Sequence, residues 1–146
     1  MGAIATGGVR VINRDVIQDL AIPGEDLARV AAREQEVLEA RERDYRGGRS
    51  FPDLREKTLI LVDDGVATGA SMKAAIQATR AQKPAEIIVA VPVAAPATCE
   101  ELRKLADEVV CVRTPERLGG IGAWYQDFHQ TPDDEVRECL ERSRRE

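Results

Sequence analysis

Aromatic residues are scarce in this 146-residue chain: two Phe, two Tyr and one Trp make up 3% of it. A core must therefore be assembled from Ala, Val, Ile and Leu. Metal-binding residue types are scarcer still, with three cysteines and one histidine. Cys99, Cys111 and Cys139 are widely spaced and form no C-x-x-C pair, and His129 stands alone. A structural zinc site needs about four such ligands at close spacing, so zinc is not expected. An odd, scattered set also argues against a disulfide framework and fits a reduced, cytoplasmic chain. No apolar run approaches the roughly 20 residues of a membrane span. The longest, Ile87 to Ala97, is interrupted by Pro92 and Pro96. The first residues lack the apolar stretch of a signal peptide. With 21 basic against 26 acidic residues, the net charge is −5. That leaves no general positive excess for nucleic acid, so neither a nucleic acid nor a membrane is an expected partner.

What remains is patterned as one soluble α/β domain over residues 1–146. Ala3 to Ala5 and Val9 to Ile12 read as short strands around Thr6-Gly7-Gly8. Glu25 to about Arg43 has apolar residues at helical spacing among Glu and Arg three and four residues apart, the pattern of a solvated helix face. This helix and a flexible insertion occupy 25–52, where Arg46-Gly47-Gly48-Arg49 ends the helix. Beyond it, strands and helices alternate. Thr58 to Val62 (TLILV) is continuously apolar, as in a strand buried on both faces. A helix is expected from Gly69 or Ala70 to Ala81, then a strand from Glu86 to Val91 closed by prolines. A second helix runs from Thr98, as N-cap, to Ala106, and a third strand over Val109 to Val112. Cys99, near that helix start, is read chiefly as a small packing residue. The order β-α-β-α-β implies a parallel, doubly wound sheet with right-handed crossovers. Residues 118–146 form a C-terminal segment whose helix opens with Thr131 as cap and Pro132 in first position.

One segment carries chemistry: Leu59-Ile60-Leu61-Val62-Asp63-Asp64-Gly65-Val66-Ala67-Thr68-Gly69-Ala70-Ser71. A buried strand delivers two adjacent carboxylates at its C-terminal end, where open parallel sheets bind ligands. A tight glycine loop then leads into a helix, whose first N–H groups and dipole suit an anion. Thr68 and Ser71 add hydroxyls. Two carboxylates would repel a phosphate, but they can accept hydrogen bonds from vicinal hydroxyls. An anion pocket beside a diol-binding acidic pair describes a sugar phosphate. The string has no G-x-x-x-x-G-K-[ST], no G-x-G-x-x-G and no Asp-x-Asp, which disfavours nucleoside triphosphatase, dinucleotide-binding and aspartyl-phosphatase readings.

LILVDDGVATGAS resembles the phosphoribosyl pyrophosphate motif of the type I phosphoribosyltransferases. YRGGR at 45–49, VPVAAP at 91–96 and AWYQDF at 123–128 resemble a bacterial branch of that family. The resemblance implies a phosphoribosyltransferase-like fold in which Asp63 and Asp64 hold the ribose hydroxyls and act as the catalytic pair. It also implies that Gly65, Val66, Ala67, Thr68, Gly69, Ala70 and Ser71 complete the ribose 5-phosphate site, with Ala67–Ser71 wrapping the 5-phosphate. Phosphoribosyl pyrophosphate would be the small-molecule partner, with Mg²⁺ bound mainly through substrate oxygens and no dedicated protein metal cage.

Such enzymes also carry a pyrophosphate loop between a strand and a helix. Thr6-Gly7-Gly8 is the nearest match, but a strand follows it. The resemblance therefore implies an N-terminally truncated domain, with apolar edges open to self-association into a homo-oligomer. Two readings stay open: transfer of phosphoribosyl to a nitrogenous acceptor, or binding without catalysis as a sensor. A sugar-phosphate hydrolase or isomerase is a weaker third. Arg46 and Arg49 are either a lid or a solvated basic turn. Lys73 and Arg80 are expected to face solvent. Trp124, Tyr125 and Phe128 either form a hood over a flat acceptor or, the favoured expectation, pack the last helix onto the sheet.

Overall fold

The structure, a computed structural model, describes residues 2–143. Strands β1 (Gly2–Ala5) and β2 (Val9–Ile12) pair antiparallel, Gly2 opposite Ile12 and Ala5 opposite Val9. Gly7 (φ 82°) and Gly8 (φ 76°) make the left-handed turn between them, which a Cβ would disfavour. A six-residue helix α1 (Arg14–Asp19) follows, capped by the Asn13 side chain, which accepts the Val16 N–H at 3.2 Å. No expectation from the sequence covers this helix. Helix α2 (Gly24–Arg46) ends where Gly47 turns left-handed, and it buries no residue fully. Its apolar side chains, Leu27 and Val30 among them, face those of the hairpin across a cleft of about 980 Å³.

The remainder is the expected α/β alternation: β3 (Thr58–Val62), α3 (Ala70–Arg80), β4 (Glu86–Val93), α4 (Pro96–Leu102) and β5 (Glu108–Arg113). The three strands are parallel in the order β3-β4-β5, with Leu59 beside Ile87 and Val89 beside Val109. Successive right-handed crossovers in one direction put α3 and α4 on the same face. Met72 and Ile76 of α3 and Cys99 and Leu102 of α4 enclose Ile87, Val89 and Val91 of β4 there.

That geometry corrects the expectation that Thr58–Val62 is buried on both faces. Its alternate residues Ile60 and Val62 are 62% and 72% exposed, and Val110 and Val112 of β5 continue the same bare face. Strand β4 runs through Pro92 instead of closing before it. Pairing resumes at Val93 opposite Arg113, so one missing N–H costs a single rung. Thr98 is not an N-cap: Pro96 opens α4, and the buried Thr98 hydroxyl is turned elsewhere. In the last helix, α5 (Asp133–Arg142), Pro132 takes the cap position and Thr131 lies outside. The cysteines also depart from expectation, since the crossover lays α4 against β5 and joins Cys99 to Cys111 as a disulfide, leaving Cys139 free and exposed. Among the described residues no helix is long and apolar enough to cross a membrane.

Arg80 does not simply face solvent. It donates to the Asp107 carboxylate at 2.8 Å and to the Leu105 carbonyl at 3.0 Å, tying α3 to the turn before β5. Asp107 also accepts the Ile87 N–H at 2.7 Å, and its pKa is lowered, first by the Arg80 hydrogen bond and then by the Ile87 N–H. A carboxylate with a lowered folded pKa adds stability above its unfolded pKa, and that stability fades as pH falls through the folded value. Asp107→Asn should therefore be less stable than the parent at pH 7 in urea unfolding. The gap should shrink below about pH 4, near the unfolded Asp pKa. A gap that widens in acid would contradict this role.

Candidate functional site

Strand β3 ends at Val62, and the chain leaves the carboxyl edge of the sheet as Asp63-Asp64-Gly65. Both carboxylates are exposed. Asp63 accepts the Asp64 N–H at 3.0 Å, and among the described residues no ion pair engages either side chain. Each keeps acceptor capacity for hydroxyl donors.

The loop after them is held down at almost every carbonyl. The Asp64 carbonyl accepts the Tyr125 hydroxyl at 2.6 Å. Gly65 is wedged, since a Cβ there would lie 2.7 Å from Ile121 and 3.0 Å from Val93. Val66 rejoins the sheet, donating to the Val93 carbonyl at 2.9 Å and accepting the Ala95 N–H at 3.2 Å. The Ala67 carbonyl takes the Thr98 hydroxyl at 2.6 Å, the Thr68 carbonyl faces the Lys73 ammonium at 3.4 Å, and the Gly69 carbonyl accepts the Lys73 N–H at 2.8 Å.

The donors show the reverse. Among the described residues no hydrogen bond takes the N–H of Ala67, Thr68, Gly69, Ala70, Ser71 or Met72. Ala70 opens the eleven-residue α3, so the last of these are the orphan donors of a helix N-terminus with the positive end of its dipole. Gly69 sits at φ 74°, with the Thr98 methyl 2.8 Å from where its Cβ would be. Six consecutive free donors beside two exposed carboxylates that keep acceptor capacity can bind an anion and a diol together. Among the described residues no group of three or more His, Cys, Asp or Glu side chains is placed to hold a metal ion.

All nine residues singled out at 63–71 thus share one loop. Arg46 and Arg49 are engaged away from it. Arg46 donates to Glu42 at 2.9 Å, stacks 4.3 Å over the Phe51 ring, and offers its carbonyl to the Arg49 side chain at 2.9 Å. The aromatic segment does not pack the last helix onto the sheet. Helix α5 meets α2 instead, through Arg137 on Asp44 at 2.6 Å and Tyr45 on Asp133 at 2.6 Å. Residues 118–128 fold against the diacid loop: Trp124 donates to the Leu118 carbonyl at 2.9 Å, and Tyr125 and Phe128 lie 5.1 Å apart.

Sequence reasoning misses four residues that shape the loop. Ile121 and Tyr125 come from far along the chain, and no spacing rule links them to it. Thr98 resembles a cap, and Lys73 sits where a helix repeat looks solvated. Lys73 is only 21% exposed, ion-paired with Glu101, whose pKa it lowers through the hydrogen bond and then its charge.

Comparison with known proteins gives the chain a family. The family model described as phosphoribosyl transferase domain matches residues 3–125. Two proteins of Mycobacterium tuberculosis, strains H37Rv and CDC 1551, each named "Putative phosphoribosyl transferase", are 37% identical over 145 residues. The match takes in 99% of this chain, which spans about one third of those relatives (33%). The crystal structure of TT1426 from Thermus thermophilus superposes with a TM-score of 0.74 at 38% identity, covering 95% of this chain and 65% of that one.

The crowded left-handed glycine gives a direct check. Gly69→Ala should lower the thermal midpoint by more than the roughly 2–8 °C that a left-handed backbone cost of about 1–2 kcal/mol gives in a domain of this size, because the added Cβ also meets the Thr98 methyl. Gly48→Ala, at φ 78° with nothing within 4 Å, should cost less because only the backbone term applies. Equal losses in thermal unfolding would mean that the Thr98 contact is not felt.

Proposed function

The chain belongs to the phosphoribosyl transferase domain family, and from that premise we propose that residues 63–71 bind the ribose 5-phosphate part of phosphoribosyl pyrophosphate. The observation that carries this is the run of six N–H groups at 67–72 without a hydrogen-bond partner among the described residues, directly beside Asp63 and Asp64, which no ion pair there engages. The N–H groups and the hydroxyls of Thr68 and Ser71 donate to the 5-phosphate. Asp63 and Asp64 accept from the 2′- and 3′-hydroxyls and place negative charge beside C1, where positive charge develops as the bond to pyrophosphate breaks. The bonding pair leaves with pyrophosphate, an acceptor nitrogen supplies the pair for the new C1–N bond, and its proton passes to solvent. Tyr125 and Ile121 hold the diacid loop so that both carboxylates keep their place.

Mg²⁺ would reach the site on substrate oxygens, beside the exposed carboxylates of Asp63 and Asp64. There it would supply charge neutralisation for the departing pyrophosphate. The acceptor is a nitrogenous base in this reading, and the segment 118–128, which touches the loop through Ile121 and Tyr125, is the surface to receive it.

A second reading, binding without transfer, is favoured by one observation. Thr6-Gly7-Gly8 joins two antiparallel strands instead of entering a helix, and the Thr6 hydroxyl is spent on Glu42 at 3.4 Å. That turn offers no helix N-terminus to a pyrophosphate.

Calorimetry with phosphoribosyl pyrophosphate and Mg²⁺ should show binding by the parent, and a loss of about tenfold or more in the Asp63→Asn/Asp64→Asn double variant. A folded parent that binds nothing would overturn both readings; where it binds, pyrophosphate release over a panel of bases separates them. The bare apolar face of β3 and β5 supports self-association as well. Light scattering after size exclusion should give more than one copy per particle, and a monomer would count against it.

A further inference from the structure

We infer that Lys73 is a positioning residue for the anion loop: its ammonium, steadied by Glu101, holds the Thr68 carbonyl and so aims the Gly69 N–H at the ligand. The inference rests on the reading of 63–71 as a ribose-phosphate site. In a planar trans peptide the carbonyl of one residue and the N–H of the next point in opposite directions, and the described chain has no cis bond. Whatever captures the Thr68 carbonyl therefore turns the Gly69 N–H the other way. Thr98 does the same one residue earlier, turning the Thr68 N–H outward through the Ala67 carbonyl. Two side chains, one from α3 and one from α4, thus orient two successive donors.

Lys73 is built for the task. Its own N–H closes the first helical bond onto the Gly69 carbonyl at 2.8 Å, which roots the side chain one turn from the loop. Its Cε passes 3.4 Å from the position of a Gly69 Cβ, so the stem lies along the glycine. Its side chain is 21% exposed, and its head lies between the Glu101 carboxylate and the Thr68 carbonyl, the latter at 3.4 Å. A solvated lysine would have none of these constraints. An ammonium has three donors, and the two contacts leave one.

The test uses the full chain with ribose 5-phosphate in calorimetry and the Thr68 and Gly69 amide resonances in NMR. Lys73→Met keeps the stem and removes the charge. It should weaken ribose 5-phosphate binding about tenfold, the scale of one charge-assisted hydrogen bond. The thermal midpoint should fall by no more than about 4 °C, since the pair with Glu101 is a partly exposed one. The Gly69 amide shift on ligand addition should shrink, and Lys73→Arg should restore most of both affinity and shift. Wild-type affinity in Lys73→Met, with the Asp63→Asn/Asp64→Asn variant still impaired, would overturn the role of Lys73 and leave the site standing. Failure of the parent to bind ribose 5-phosphate at all would overturn the site itself, and with it this role.

Discussion

Carbonyl capture along residues 64–69 is the constraint on which the candidate site depends. A loop that leaves a strand at a sheet edge is ordinarily the least fixed part of a fold. Here Tyr125, the Ala95 N–H, Thr98 and Lys73 take its acceptors one after another. Because each peptide carries its donor opposite its acceptor, occupying the carbonyls on the protein side leaves donors on the other. The site is thus a by-product of satisfying backbone acceptors. Glycine at 65 and 69 is what lets the neighbours come close enough.

The three-stranded sheet supplies those neighbours. Parallel strands joined by right-handed crossovers bring the ends of β3 and β4 and the starts of α3 and α4 to one edge, so Val66 can bridge to Ala94 and Thr98 can reach Ala67. The same handedness puts both helices on one face and leaves Ile60, Val62, Val110 and Val112 uncovered. The C-terminal segment adds a lock from outside, with Ile121 over Gly65 and Tyr125 on Asp64, while α5 turns away to α2. The hairpin and α2 make a thinner second region around an apolar cleft.

Local signals in the sequence are dependable where local physics decides. The hairpin turn at Gly7-Gly8, the end of α2 at Gly47 and the β-α-β alternation follow from glycine conformation and apolar periodicity, and all three are present. The diacid motif is legible because two adjacent acids and a glycine loop after an apolar strand are residue types a core does not use. Burial on both faces of TLILV fails as an expectation because an apolar run does not say whether a second layer exists to cover it. The cap role of Thr98 fails for a related reason: a threonine near a helix start is a cap only if no better partner lies across the sheet edge. Lys73, Tyr125 and the Cys99–Cys111 pair become visible only in three dimensions, since each joins residues whose proximity the crossovers create. The short α1 has a readable sign in Asn13, though six residues give periodicity little to show.

The most direct measurement is a crystal structure of the chain with ribose 5-phosphate. The account requires the phosphate oxygens within hydrogen-bond distance of N–H groups at 67–72, and the 2′- and 3′-hydroxyls on Asp63 and Asp64. A phosphate seated elsewhere, or a sugar whose hydroxyls turn away from both carboxylates, would contradict it.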